Sequence, residues 1–132
     1  MIARKEVTLT DFDMLAAFNR KSNEDMSSFI NALAIKLSDA VNGVEIKRAK
    51  DSLFSKNTHI ESITIPFSSC KYILEIKNKT VVGKCSKESG GIVLKTDILN
   101  LNDWLANLMS ELEKTTDQNM NAAETIHKFL ME

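Results

Sequence analysis

The sequence predicts an α+β domain: an N-terminal helical segment, an antiparallel meander of about five strands, and a C-terminal helix or helix pair on one face of the sheet. Three observations carry this reading. Apolar residues recur at three- and four-residue spacing through 10–42 and again through 100–131. Between them, 44–95 alternates apolar and polar residues at the two-residue period of half-buried strands. The connections within that middle region are short and polar, which favours hairpins over crossovers.

The sheet is read around Cys70–Cys85, CKYILEIKNKTVVGKC. With Asn78-Lys79 as the loop of a hairpin, Ile76 faces Val81, Leu74 faces Gly83 and Tyr72 faces Cys85. Cys70, Tyr72, Leu74 and Ile76 then lie on one face. Lys71, Ile73, Glu75, Lys77, Thr80, Val82 and Lys84 lie on the other. A turn at Lys77-Asn78 would instead set Cys70 opposite Cys85, so a disulfide is geometrically open. Buried, reduced thiols beside Tyr72 are the expected state in a reducing compartment.

In chain order, residues 1–9 read as an arm or edge strand carrying Ile2, Val7 and Leu9. Thr10-x-x-Asp13 resembles a capping box, and Ser22-x-x-Asp25 offers a second helix start. Either one helix spans 11–42, or two meet near Asn19–Asn23. Asn42-Gly43 is the stop, because glycine readily takes the left-handed conformation that ends helices. Strands follow at 44–50 and 59–65, the second closed by Pro66, which cannot donate to a ladder and marks a strand end or an edge. The connection 51–58 carries Leu53 and Phe54, which either tuck under the sheet edge or stay exposed as a contact surface. Lys87–Gly91 is read as a turn, and 92–95 as the last strand.

The C-terminal third has the clearest helical pattern. Asn100 or Asn102 caps its start, and Leu101, Trp104, Leu105, Leu108, Met109 and Leu112 form one stripe. Trp104 is expected to anchor the core. The polar run 114–119 interrupts, and Met120, Ala123, Ile126 or His127, and Leu130 continue the pattern.

With 132 residues the chain is expected to be one domain, 1–132, large enough to bury roughly two-thirds of its unfolded surface. Its 43% hydrophobic and 27% charged residues are ordinary for a globular protein. No apolar run reaches the length of a membrane span, and the N-terminus lacks the apolar core of a signal peptide. The expected location is the cytoplasm. The net charge of −1 hides an asymmetry: 47–95 holds ten basic and four acidic residues, a net +6, against −7 elsewhere.

No catalytic, metal-binding or nucleotide-binding signature is present. The cysteine spacing is no metal motif, and His59 and His127 are far from either thiol in sequence. Glu24-Asp25 and Glu111/Glu113 read as helix surface, and Gly90-Gly91 as a turn too short to cradle phosphate. The expected function is therefore non-enzymatic and without cofactor or metal. It is a protein–protein interaction module, adaptor- or chaperone-like, acting as a homodimer or through a partner-dependent contact. Its candidate partner-binding residues are Lys71, Lys77, Lys79 and Lys84 on the sheet together with Leu53 and Phe54, helped by apolar helix surface that includes methionines such as Met14, Met26, Met109, Met120 and Met131. The alternative is a nucleic-acid-binding accessory protein using the Lys-rich hairpin. Against it stand the sequence pI of 6.1 and the lack of an aromatic residue on that face of the hairpin.

Overall fold

A computed structural model describes residues 16–18, 20–21, 25–77, 80–114 and 122–131. Its elements are α1 (Met26–Ala40), β1 (Glu45–Lys50), β2 (Thr58–Pro66), β3 (Cys70–Lys77), β4 (Thr80–Ser89), β5 (Ile92–Leu99), α2 (Leu101–Lys114) and α3 (Ala122–Met131). The five strands form one antiparallel sheet in sequence order. The architecture is the α+β meander that the two hydrophobic periods imply.

The central hairpin has the register set by a two-residue loop. Ile76 pairs with Val81, Leu74 with Gly83 and Tyr72 with Cys85, while Cys70 pairs with Lys87. The alternative turn that opposes the cysteines is thereby excluded, and both thiols are free. Ile63, Ile65, Tyr72, Leu74 and Cys85 are buried on one face, beneath the helices. α1 packs on β2, α2 packs on β4, and α3 lies against both α1 and α2. The polar side of the sheet carries no described helix.

α1 begins at Met26; the helix starts read at Thr10-x-x-Asp13 and at Ser22 lie outside the described residues. Asp25 is its N-cap, and its carboxylate accepts the Ser28 N–H at 3.2 Å. Residues 16–18 and 20–21 are also helical, with Phe18 buried edge-on to Phe29 at 5.4 Å between ring centroids. α1 stops as expected: Val41 is extended, its N–H bonds Leu37 O at 2.9 Å, and Gly43 follows at φ 85°. Residues 1–9, with their proposed arm, lie outside the described residues.

Two boundaries differ from the sequence reading by more than a residue, and Pro66 settles on one of the two options read for it. The turn after β4 is not Lys87–Gly91 but only Gly90-Gly91, at φ 58° and 82°. Two left-handed residues close a hairpin in two positions, so Lys87–Ser89 stay in the ladder. β5 continues past Lys95 to Leu99, because Thr96, Asp97, Ile98 and Leu99 all find partners on β4. Pro66 ends a strand that lies inside the sheet, between β1 and β3, so it marks an end and not an edge.

α2 opens on a reciprocal cap. Asn100 Oδ1 accepts the Asp103 N–H at 2.8 Å, and its Nδ2 donates to Asp103 Oδ2 at 2.9 Å. Trp104, Leu105, Leu108, Met109 and Leu112 are buried along one stripe. Met109 thus belongs to the core and not to an adaptable surface; Met26 is half-buried, Met131 is exposed, and Met14 and Met120 lie outside the described residues. Trp104 is fully buried over Gly83, with its Nε1–H donating to Lys84 O at 3.1 Å. No described helix is long and apolar enough to cross a membrane.

Candidate protein-interaction surface

Antiparallel order puts the β1–β2 connection and the β3–β4 tip at the same end of the sheet. At that end the chain makes an unusual turn. Ser55 N–H bonds Ser52 O at 3.2 Å, which makes Leu53 and Phe54 the two central residues of a β-turn. Glycine, proline, asparagine and aspartate are the residues that turn geometry favours there. Leu53 is 89% exposed and Phe54 96%. Of the two options read from the sequence, exposure is the one realised.

The turn is held at its base. Asp51 N–H donates to Asn57 O at 3.0 Å, Asn57 N–H donates to Ser55 Oγ at 3.0 Å, and His59 Nδ1 lies 2.8 Å from Asp51 Oδ1. Leu53 and Phe54 are therefore presented on a closed loop. His59 also lines a mainly apolar cleft of about 370 Å³ between α1 and the sheet, beside Met26, Ile30, Ile60 and Ile76. Around the loop, Lys47, Arg48, Lys50 and Lys56 are exposed, against Asp51 as the one acidic residue in 47–56. Lys47 reaches Glu61 at 3.8 Å.

The hairpin lysines are placed on the open face as expected, but they are not a bare cationic patch. Lys84 Nζ sits 2.9 Å from Glu75 Oε1, Lys77 Nζ 3.7 Å from the same oxygen, and Lys71 Nζ 3.5 Å from Glu88 Oε2. The hydrogen bond from Lys84 holds the Glu75 carboxyl below the ordinary carboxylate range, against the opposing effect of burial. Lys79 lies outside the described residues. The sheet has thus brought each of the described candidate lysines to a carboxylate, as the complementary charges of neighbouring strands allow.

The Cys70 thiol is chemically quiet. Burial, followed by the neighbouring Cys85 and Glu111, pushes the Cys70 thiol up to about 11, and the same burial raises the Tyr72 hydroxyl. A thiol protonated at neutral pH is a poor nucleophile. Among the described residues no group of three or more His, Cys, Asp or Glu side chains could hold a metal ion.

The exposed apolar surface outside the turn lies on β5, at Ile92, Val93, Leu94 and Ile98, and only singly on the described helices, at Ile35 and Met131. Reading 92–95 as a short closing strand hid this feature. The consecutive Ile92-Val93-Leu94 was the signal, because a strand with one buried face should alternate. No protein family matches this chain, and comparison with curated proteins and solved structures gives no match either.

Proposed function

We propose that this protein is a non-enzymatic protein–protein interaction module, adaptor- or chaperone-like, that engages its partner through the Leu53–Phe54 turn. One observation carries the reading: two large apolar side chains occupy the centre of a closed β-turn and face solvent almost completely. Leaving each of them in water forgoes about 1.5–3 kcal/mol of burial. A polar turn would fold as well, so folding alone gives no reason for them. The adjacent cleft offers a second apolar contact, and the four basic residues of 47–56 favour a partner segment that carries carboxylates beside its apolar anchors. We place its action in the cytoplasm, where Cys70 and Cys85 remain thiols.

The test is a paired capture from the native cell. Wild-type chain and a Leu53→Ser/Phe54→Ser variant with unchanged circular dichroism are compared by quantitative mass spectrometry. Loss of specific proteins with the variant supports the reading; identical enrichment by both chains removes the turn from it.

A second reading has a specific observation behind it. Phe54 is exposed in a connection whose neighbours in sequence, Arg48, Lys50 and Lys56, are exposed and basic, a combination on which an unpaired base could stack. Micromolar binding of a single-stranded oligonucleotide at physiological salt, weakening steeply as salt rises and lost in Phe54→Ser, would favour it.

A further inference from the structure

We propose that the chain forms a two-fold symmetric dimer in which β5 pairs antiparallel with β5 of a second copy, centred on Thr96, so that two five-stranded sheets become one. This contact is separate from the Leu53–Phe54 turn, which lies in the connection after the opposite edge strand, and it stands or falls independently of the reading above.

The two edges of the sheet are built differently. β1, EIKRAK, carries Glu45, Lys47, Arg48 and Lys50 among its six residues; each edge ladder has one break, between Lys47 and Arg48 on β1 and at Leu94 on β5. A dense run of charges is a usual protection of an edge against another strand. β5, IVLKTDIL, is longer and carries only Lys95 and Asp97. Ile92, Val93, Leu94 and Ile98 are 68%, 55%, 67% and 71% exposed. Among the described residues no strand pairs with its outer side, where its main-chain donors and acceptors can form a ladder.

The choice of a second copy rests on self-complementarity. Pairing with β4 sets Thr96 opposite Ser86 and Ile98 opposite Lys84, on the open face, while Lys95 and Asp97 share the other. A two-fold pairing that keeps both open faces on one side can be centred on any single residue, and the charges discriminate among the centres. Centred on Lys95, the strand opposes lysine to lysine; centred on Asp97, it opposes aspartate to aspartate, and like charges directly opposite destabilise a pair. Centred on Leu94 or Ile98, it sets the charges against apolar residues or beyond the strand end. Centred on Thr96, each Lys95 meets the Asp97 of the second copy, within the stretch Lys95–Leu99 that pairs regularly with β4 beyond the bulge at Leu94. Within one chain Lys95 Nζ already lies 3.5 Å from Asp97 Oδ1, so the dimer would join two such pairs into a four-charge cluster. Symmetric interfaces of this kind are the commonest form of homo-oligomer.

Sedimentation of the full chain over a micromolar concentration series is expected to show a monomer–dimer equilibrium. Lys95→Asp alone and Asp97→Lys alone should each shift it toward monomer by tenfold or more in dissociation constant, since each opposes like charges. An equimolar mixture of those two variants should dimerise again, which restoration of the pair inside one chain cannot explain. Thr96→Cys fixes the register: opposed residues of an antiparallel pair have Cα atoms about 4.5–5.5 Å apart, within disulfide range. Mild oxidation should therefore cross-link Thr96→Cys and leave wild type, Leu94→Cys and Ile98→Cys uncoupled. A monomer at the highest concentration, a dimer indifferent to both charge reversals, or a dimer that cross-links better through Leu94→Cys than Thr96→Cys would each overturn the proposal.

Discussion

Gly83 is the position at which the packing of helix on sheet can be tested most sharply. A Cβ built there would lie 2.7 Å from Trp104 Cγ, 2.8 Å from Cδ1 and 2.9 Å from Cβ, where ordinary contact begins at 3.4 Å. Trp104 would have to withdraw by about 0.7 Å. It has little freedom to do so: the ring is fully buried, Tyr72 stands at 6.4 Å between centroids, and Nε1–H is committed to Lys84 O. The crowded atoms include the Trp104 Cβ, so a rotamer change gives incomplete relief and α2 itself must shift. Gly83→Ala should cost about 1–3 kcal/mol, the usual range for overpacking. Trp104→Ala should cost about 3–5 kcal/mol by emptying the same site. In the Trp104→Ala background, Gly83→Ala should be neutral or stabilising, because the added methyl then enters vacated space and a strand glycine is replaced. Urea unfolding followed by circular dichroism gives all four free energies. A cost for Gly83→Ala that is the same in both backgrounds would refute the claim that Trp104 is what excludes a side chain at residue 83.

Other outcomes follow from single contacts. Asn100→Ala should destabilise by about 1 kcal/mol in the same unfolding assay, because it removes both halves of the cap on α2. Cys70 should react with iodoacetamide far more slowly than a free thiol at pH 8, and faster as pH climbs toward about 11, with denatured chain as the reference. Glu75→Gln should cost about 1–3 kcal/mol at neutral pH, because it removes the carboxylate from a Lys84 side chain that is only 24% exposed. The Glu75 carboxyl is held low in the fold, so its contribution is present above the ordinary carboxylate range and is lost as pH falls through the depressed value; the difference between wild type and Glu75→Gln should vanish at acid pH.

The fold was legible because its signals are local. The alternation of Cys70, Tyr72, Leu74 and Ile76 against charged neighbours fixes a face, and a two-residue loop then fixes every partner across the hairpin. The stripe from Trp104 to Leu112 and the Asn100 cap likewise need only i+3 and i+4 spacing. What depended on neighbouring strands was less legible. Lysine spacing placed Lys71, Lys77 and Lys84 on one face, but only cross-strand register shows Glu88 and Glu75 beside them. The end of β5 was missed because Thr96–Leu99 is short of periodicity by itself and is held by its partners on β4. Leu53 and Phe54 were flagged by being apolar in a polar run; that they occupy the centre of a closed turn depends on the Ser55–Ser52 bond, which composition does not reveal.

The central claim is that the Leu53–Phe54 turn meets a protein. Its most direct test places a photoreactive benzoylphenylalanine at residue 54, where the side chain is almost wholly in solvent, and irradiates living cells. The expected result is a discrete protein adduct, formed at position 54 and absent when the same group replaces exposed Lys114 on α2. Equal, diffuse labelling from both positions, or an adduct to nucleic acid alone, would contradict it.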